Sequence, residues 1–207
     1  RSSDLGQIWG SLLVQTILSW KFEQSVIDAR VFFKKVGNEF VMVAIVVDDM
    51  AFVSNSQGLM DYLKQKLNVA FDVKFFGKLR SFVGWEITHN KDGISISQTR
   101  YTEQLLDKHG LLEANGAWTP LPSDANTITT QTYDSLLSKQ NHSKYRIMVG
   151  ELLYLAVCTR PDISFAVGLL ARQLHAPTWR HFCLLKRLMR YVSGTRTLGI
   201  MYPNILA

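Results

Sequence analysis

Two aspartates break the most apolar stretch of this chain, and that break constrains the fold more than any other feature. Phe40 to Val47 is an unbroken run of eight apolar residues; Asp48 and Asp49 follow, and Met50 to Val53 resumes the apolar character. Eight residues are far too few to span a membrane. The run reads as a strand apolar on both faces, a central strand of a covered sheet. Strand, Asp-Asp, strand is a hairpin, but hairpin tips favour Asn-Gly or Asp-Gly, where positive φ costs little. Two adjacent carboxylates also repel, which raises the proton affinity of one unless a cation lies close. A divalent metal resolves the repulsion, and oxygen ligands suit Mg²⁺. The bland alternative is a polar hairpin tip with no ligand.

The chemistry that fits such a pair is two-metal phosphoryl transfer, which activates an attacking hydroxyl and stabilises the leaving oxygen. Adjacent strand residues point to opposite faces, so Asp48 and Asp49 need not contribute equally. A third carboxylate is then required from another strand. Upstream there are only Asp4, Glu23, Asp28 and Glu39, none embedded in an apolar strand. The site reads as incomplete.

Around this hairpin the pattern alternates between helix and strand. Residues 8 to 20 repeat at helical spacing, and Ser2 to Asp4 can start that helix. Val31 to Phe33 is a short β-type run, with a turn at Gly37-Asn38. Asn55 and Ser56 are N-caps for a helix around Leu59 to Leu67. Leu79 to Thr88 and Ile94 to Ser97 flank Asn90-Lys91-Asp92-Gly93, a second hairpin. A helix over Thr99 to His109 stops at Gly110. Residues 117 to 141, with Pro120, Pro122 and a Ser/Thr/Asn/Gln-rich run, read as an extended linker. Helices follow at Lys144–Cys158, Ile163–His175 and Thr178–Val192, separated by Arg160-Pro161-Asp162 and Ala176-Pro177. Leu198 to Tyr202 begins a new strand.

Charge divides the chain unevenly. From Asn141 to Ala207 nine basic side chains face only Glu151 and Asp162, a net of +7, whereas the first 140 residues hold 14 basic and 15 acidic groups, a net of −1. The helical third is either a solvated basic face or a polyanion track, and nucleic acid is the polyanion of choice. A hydrophobic fraction of 47% against 19% charged excludes a disordered chain. Cys158 and Cys183, in apolar helical context, read as buried free thiols of a reducing compartment. His175 and His181 lack metal-ligand spacing. Trp9, Trp20, Trp118 and Trp179 read as packing residues rather than base-stacking platforms.

An ordered set of motifs resembles the C-terminal part of the reverse transcriptase (RNA-directed DNA polymerase) of copia-type LTR retrotransposon Pol polyproteins. Val46-Val47-Asp48-Asp49 stands where that family has its Tyr-x-Asp-Asp box, and Phe71–Gly77 resembles the family's lysine-bearing stretch after it. Phe82-Val83-Gly84-Trp85-Glu86-Ile87 resembles the primer grip, Gly93 to Tyr101 the "GI-x-LSQ-x-x-Y" segment, and Thr119-Pro120 the family's "TP". The most specific run is Tyr145 to Leu155 continuing through Thr159-Arg160-Pro161-Asp162-Ile163 to Val167. Lys186-Arg187, Arg190-Tyr191, Gly194-Thr195 and Gly199-Ile200-x-Tyr202 match its close. The resemblance runs from about residue 28 to residue 202, with Val46 in place of the usual aromatic and Trp85 in place of a small aliphatic.

This resemblance implies an α+β fold: a partial right-hand polymerase palm, its antiparallel sheet carrying the Asp-Asp hairpin, followed by a basic three-helix thumb-like unit. The implied layout is palm over 1–98, a helix leading into the thumb over 99–116, linker over 117–141, thumb over 142–195, and over 196–207 the start of a connection toward an RNase H domain. The implied activity is template-directed addition of deoxynucleotides to a primer. Asp48 and Asp49 would hold Mg²⁺ (two ions in the complete enzyme), and Lys74 would be a general acid. Phe82, Gly84 and Trp85 would position the primer, and Lys186, Arg187 and Arg190 would contact duplex phosphates. Template–primer, deoxynucleotides and the rest of Pol are the implied partners, with no membrane; the implied location is intracellular, in a cytoplasmic particle and/or the nucleus. The first catalytic aspartate of the family is expected upstream of Arg1, leaving this stretch inactive alone. The alternative is a catalytically dead relic that retains nucleic-acid binding.

Overall fold

The structure, a computed structural model, describes residues 2–125 and 135–204. Part of the expected linker, 126–134, and the last three residues of the expected connection therefore lie outside the described residues. The chain divides into two units after Val83. The hairpin expected to close the palm thus falls at the start of the second unit.

The first unit is an antiparallel sheet with two helices on one face. Its strands β1 (Glu23–Gln24), β2 (Val31–Val36), β3 (Glu39–Val46) and β4 (Asp49–Ser54) lie in sequence order. Helix α1 spans Ser2–Ser19 and α2 spans Gln57–Ala70. As expected, Ser56 caps α2, its hydroxyl accepting from the Leu59 N–H. Period-two alternation sends Val41, Val43 and Ile45 of β3 inward, against Phe32, Leu13 and Ile17 of α1, and Leu63 and Leu67 of α2.

The opposite face corrects the expectation of a doubly covered strand. Met42, Val46 and Val53 are exposed, and none of the outward residues of β3 joins the unit's core. An eight-residue apolar run therefore forms a strand covered on one side within its own unit. The apolar outward residues, not a second layer of helices, produced the continuous pattern.

The second unit joins a small sheet to a helical core. Strands β6 (Trp85–Asn90) and β7 (Gly93–Ser97) form the expected hairpin, preceded in the chain by the two-residue β5 (Ser81–Phe82). The last strand, β8 (Gly199–Pro203), pairs antiparallel with β7. That pairing demands glycine twice: a Cβ on Gly93 would run into the Tyr202 carbonyl oxygen, and one on Gly199 into the Ile96 carbonyl oxygen.

The helices are α3 (Thr99–Lys108), α4 (Lys139–Cys158), α5 (Ser164–Ala171) and α6 (Trp179–Gly194). Gly110, at φ 68°, ends α3 with a Schellman motif: Leu111 N–H donates to Leu106 O and Gly110 N–H to Asp107 O. Helix α5 stops at Ala171, four residues short of the expected end. Tyr145, Leu152, Leu155, Leu170, Leu185 and Leu188 are fully buried where the helices converge. The cysteine expectation holds only in part: both thiols are free, but Cys158 is half-buried and Cys183 exposed.

Candidate functional site

The Asp-Asp hairpin has a two-residue tip. Val46 pairs with Asp49 across β3 and β4, so Val47 and Asp48 alone make the turn. Val47 takes φ +53°, the left-handed region that a β-branched residue rarely enters. Such a conformation costs on the order of 1–3 kcal/mol and persists only where its surroundings impose it. Both carboxylates are solvent-exposed. Strand alternation puts Asp49 on the open face of the sheet, beside Val46 and in the row of Ala51 and Val53.

Lys74 lies in the segment after α2. Phe71, Val73 and Phe75 of this segment pack on the first unit's core while Asp72 and Lys74 are exposed, an alternation of inward and outward positions. The Phe75 ring sits 6.2 Å from that of Phe52 in β4. Since Phe52 is three residues from Asp49, this anchors the neighbour of Lys74 about 10 Å along the strand from the hairpin tip.

At the expected primer grip, strain recurs. Val83 at φ +50° and Gly84 at φ +79° form a turn with two positive φ values, the type I′ pattern. Phe82 and Trp85 are half-buried. The Trp85 indole N–H is buried and meets no acceptor among the described residues. Within the second unit, a Cβ on Gly84 would touch the Tyr154 hydroxyl at 3.5 Å. Glu86 closes the segment onto α3, its Oε1 accepting from the Arg100 N–H at 2.7 Å.

The basic residues of α6 divide by role. Arg187 donates from Nη2 to Thr119 Oγ1 (2.9 Å), and Arg190 from Nε to the Asn115 carbonyl (2.8 Å), so both fasten the 115–119 loop to the helix. The loop comes close enough that a Cβ on Gly116 would stand 3.0 Å from Gly194 Cα. Each guanidinium still carries further donors. Lys186 is exposed, its Nζ 5.0 Å from the centroid of Phe182 and 5.7 Å from that of Trp179.

Two polar networks in the most specific motif run explain its residue types structurally. Arg160, 1% exposed, donates from Nε and Nη2 to the two oxygens of Asp162 (2.9 and 2.8 Å), and from Nη1 and Nη2 to the carbonyl and hydroxyl of Thr195. Tyr191 adds its hydroxyl to Asp162 at 3.0 Å. Burial alone would raise the Asp162 carboxyl, but the Arg160 hydrogen bonds and charge hold it below its usual range. The Arg-Pro-Asp corner therefore ties the turn after α4 to the end of α6. Glu151 of α4 similarly accepts from Lys108 Nζ at 2.6 Å and meets His109 Nε2 at 2.6 Å. Burial pushes its carboxyl up; the hydrogen bonds and charges of Lys108 and His109 outweigh that and lower it.

Sequence reasoning missed the exposure of two tryptophans. Trp9 and Trp20 pack against the first unit's core as expected, but Trp118 is 96% and Trp179 48% exposed. For Trp179 a signal was present: it opens a helix whose other exposed positions are mostly basic.

The family model described as reverse transcriptase (RNA-dependent DNA polymerase) matches residues 3–123. The chain is 38% identical over 152 residues to an uncharacterized mitochondrial protein of Arabidopsis thaliana, covering 73% of this chain and 60% of that protein. It is 34% identical over 173 residues to the retrovirus-related Pol polyprotein from transposon TNT 1-94 of Nicotiana tabacum, and 34% identical over 193 residues to that from transposon RE1 of Arabidopsis thaliana. These alignments cover 81% and 93% of this chain but 13% of each polyprotein. No solved structure matches the chain. The chain belongs to the reverse transcriptase (RNA-dependent DNA polymerase) family, and its relatives include Pol polyproteins of transposons, as the copia-type motifs led us to expect. No helix among the described residues is long and apolar enough to cross a membrane.

Proposed function

We propose that this chain supplies part of a template-directed DNA polymerase, with Asp48 and Asp49 as two of the carboxylates of a magnesium-dependent centre. The observation that carries this reading is the hairpin tip: two exposed carboxylates presented by a turn whose Val47 is held at φ +53°. Strain in a two-residue turn bearing unpaired like charges is what a site built for a cation would contain.

The donor chemistry suits Mg²⁺, yet it provides half a site. Among the described residues no three His, Cys, Asp or Glu side chains converge, and two-metal polymerases need a further carboxylate. We place that ligand outside the described residues and expect the 207-residue chain alone not to polymerise. When bound, the ions would acidify the primer hydroxyl and neutralise charge on the departing pyrophosphate. The chain's own contributions are Asp48 and Asp49 as oxygen donors, Lys74 as an exposed cation and candidate proton donor, and the Phe82–Trp85 turn as a primer support. Lys186, Arg187 and Arg190 would contact phosphates with the donors left after the loop contacts.

A Mn²⁺ titration followed by electron paramagnetic resonance tests the half-site. Weak binding that disappears in Asp48→Asn supports it; the same binding in an Asp48→Asn/Asp49→Asn chain would contradict it. A second reading, nucleic-acid binding without catalysis, is supported by the acid-free helix α6, and it predicts duplex binding untouched by substitution of either aspartate.

A further inference from the structure

Trp179 occupies the first position of α6 and is 48% exposed. It is held there firmly. Thr178 and His181 form a capping box around the helix start. Trp179 N–H donates to the Ser135 carbonyl at 3.2 Å, and Leu137 N–H to the Pro177 carbonyl at 3.0 Å. The indole leans on Phe182 with centroids 5.6 Å apart and planes inclined by 39°, while Lys186 Nζ lies over both rings. An aromatic ring braced on one side and open on another is pre-ordered for stacking, because little side-chain entropy remains to be lost.

The surroundings select the partner. Trp179, Cys183, Lys186 and Arg190 are exposed at helical spacing, a stripe about 16 Å long. Helix α6 carries Arg180, Lys186, Arg187 and Arg190 and no carboxylate. Asp124 shares a shallow hollow with Arg180 and Arg187, which leaves Lys186 and Arg190 as the leading cations of the stripe. Positive charge suits any polyanion, but a solvent-exposed indole adds a flat apolar surface on which an unpaired base can stack, whereas duplex bases already stack on each other.

We infer that Trp179 is a stacking platform for an unpaired nucleobase, with Lys186 and Arg190 on the phosphates beside it, so that this end of α6 grips single-stranded nucleic acid. The inference rests on reading α6 as a nucleic-acid surface and deepens it. Fluorescence anisotropy with a short labelled oligothymidylate, and with a blunt duplex of equal length, tests it across a range of salt.

Trp179→Ala weakens single-strand binding by about 5- to 150-fold and leaves its salt slope unchanged. Trp179→Phe keeps most of the affinity, and duplex binding barely moves. Lys186→Ala lowers the salt slope by about one without changing the preference for single strands. Circular dichroism of each variant confirms that α6 persists. Unchanged single-strand binding by Trp179→Ala, or an equal loss on the duplex, overturns the stacking role while leaving the nucleic-acid reading of α6 intact. Failure of both oligonucleotides to bind the wild-type chain overturns both.

Discussion

Val47 concentrates the tension between folding and function at a single residue. A β-branched side chain at φ +53° is unfavourable, whereas glycine would accept that conformation at only its usual entropic cost. Val47→Gly is therefore expected to stabilise the chain by about 1 kcal/mol in urea unfolding; a loss of stability would show that the valine contacts outweigh the strain. Arg160 is the opposite case, a buried charge with a hydrogen-bond partner at each guanidinium nitrogen. Its removal leaves the Thr195 carbonyl without its donor and the Asp162 carboxylate with the Tyr191 hydroxyl but no cation, and Arg160→Ala is expected to cost about 3 kcal/mol, read from the same transition. Glu151 links stability to pH. Its folded pKa is lowered by Lys108 and His109 against the opposing effect of burial. The contribution is therefore present above the unfolded carboxylate value and is lost as pH falls through the lowered one. In Glu151→Gln this part of the acid-side decline should vanish from a pH series of melting curves.

Helices and hairpins were largely legible in the sequence because their stop signals are local. Ser56 caps α2 and Gly110 closes α3 through bonds within a few residues, and the Asn90–Gly93 turn sits between β6 and β7 as its residue types require. What could not be read were features decided by distant partners. The run Phe40–Val47 is apolar at every position, so composition concealed that only Val41, Val43 and Ile45 face a core. Likewise nothing near Gly199 announces that β8 pairs with β7, about a hundred residues earlier. That pairing can be tested directly. Gly199→Ala places a methyl group on the Ile96 carbonyl, so it should loosen β7 and β8 together. Hydrogen exchange would then accelerate at Ile94, Ile96 and Ile200 while the amides of β3 stay protected; a change confined to β8 would contradict the pairing.

At the scale of the whole molecule, charge and chemistry are segregated between the two units. The carboxylate tip belongs to the first unit and the acid-free helix to the second. The motifs of the Asp-Asp box were readable as a family signature, yet which basic residues remain available for a ligand was not. Arg187 and Arg190 are partly engaged by Thr119 and Asn115, contacts set by how the 115–119 loop folds back. The chain spans 60% of one relative and 13% of each Pol polyprotein it matches, so activity of the larger protein is a proposal about an assembled centre to which this stretch contributes two carboxylates and a basic helix. The most direct measurement incubates the purified chain with a labelled template–primer, deoxynucleotides and Mg²⁺, recording binding and extension in the same reaction. Binding should weaken steeply with salt, and the primer should not be extended. Magnesium-dependent extension that is abolished by Asp48→Asn would contradict the half-site reading.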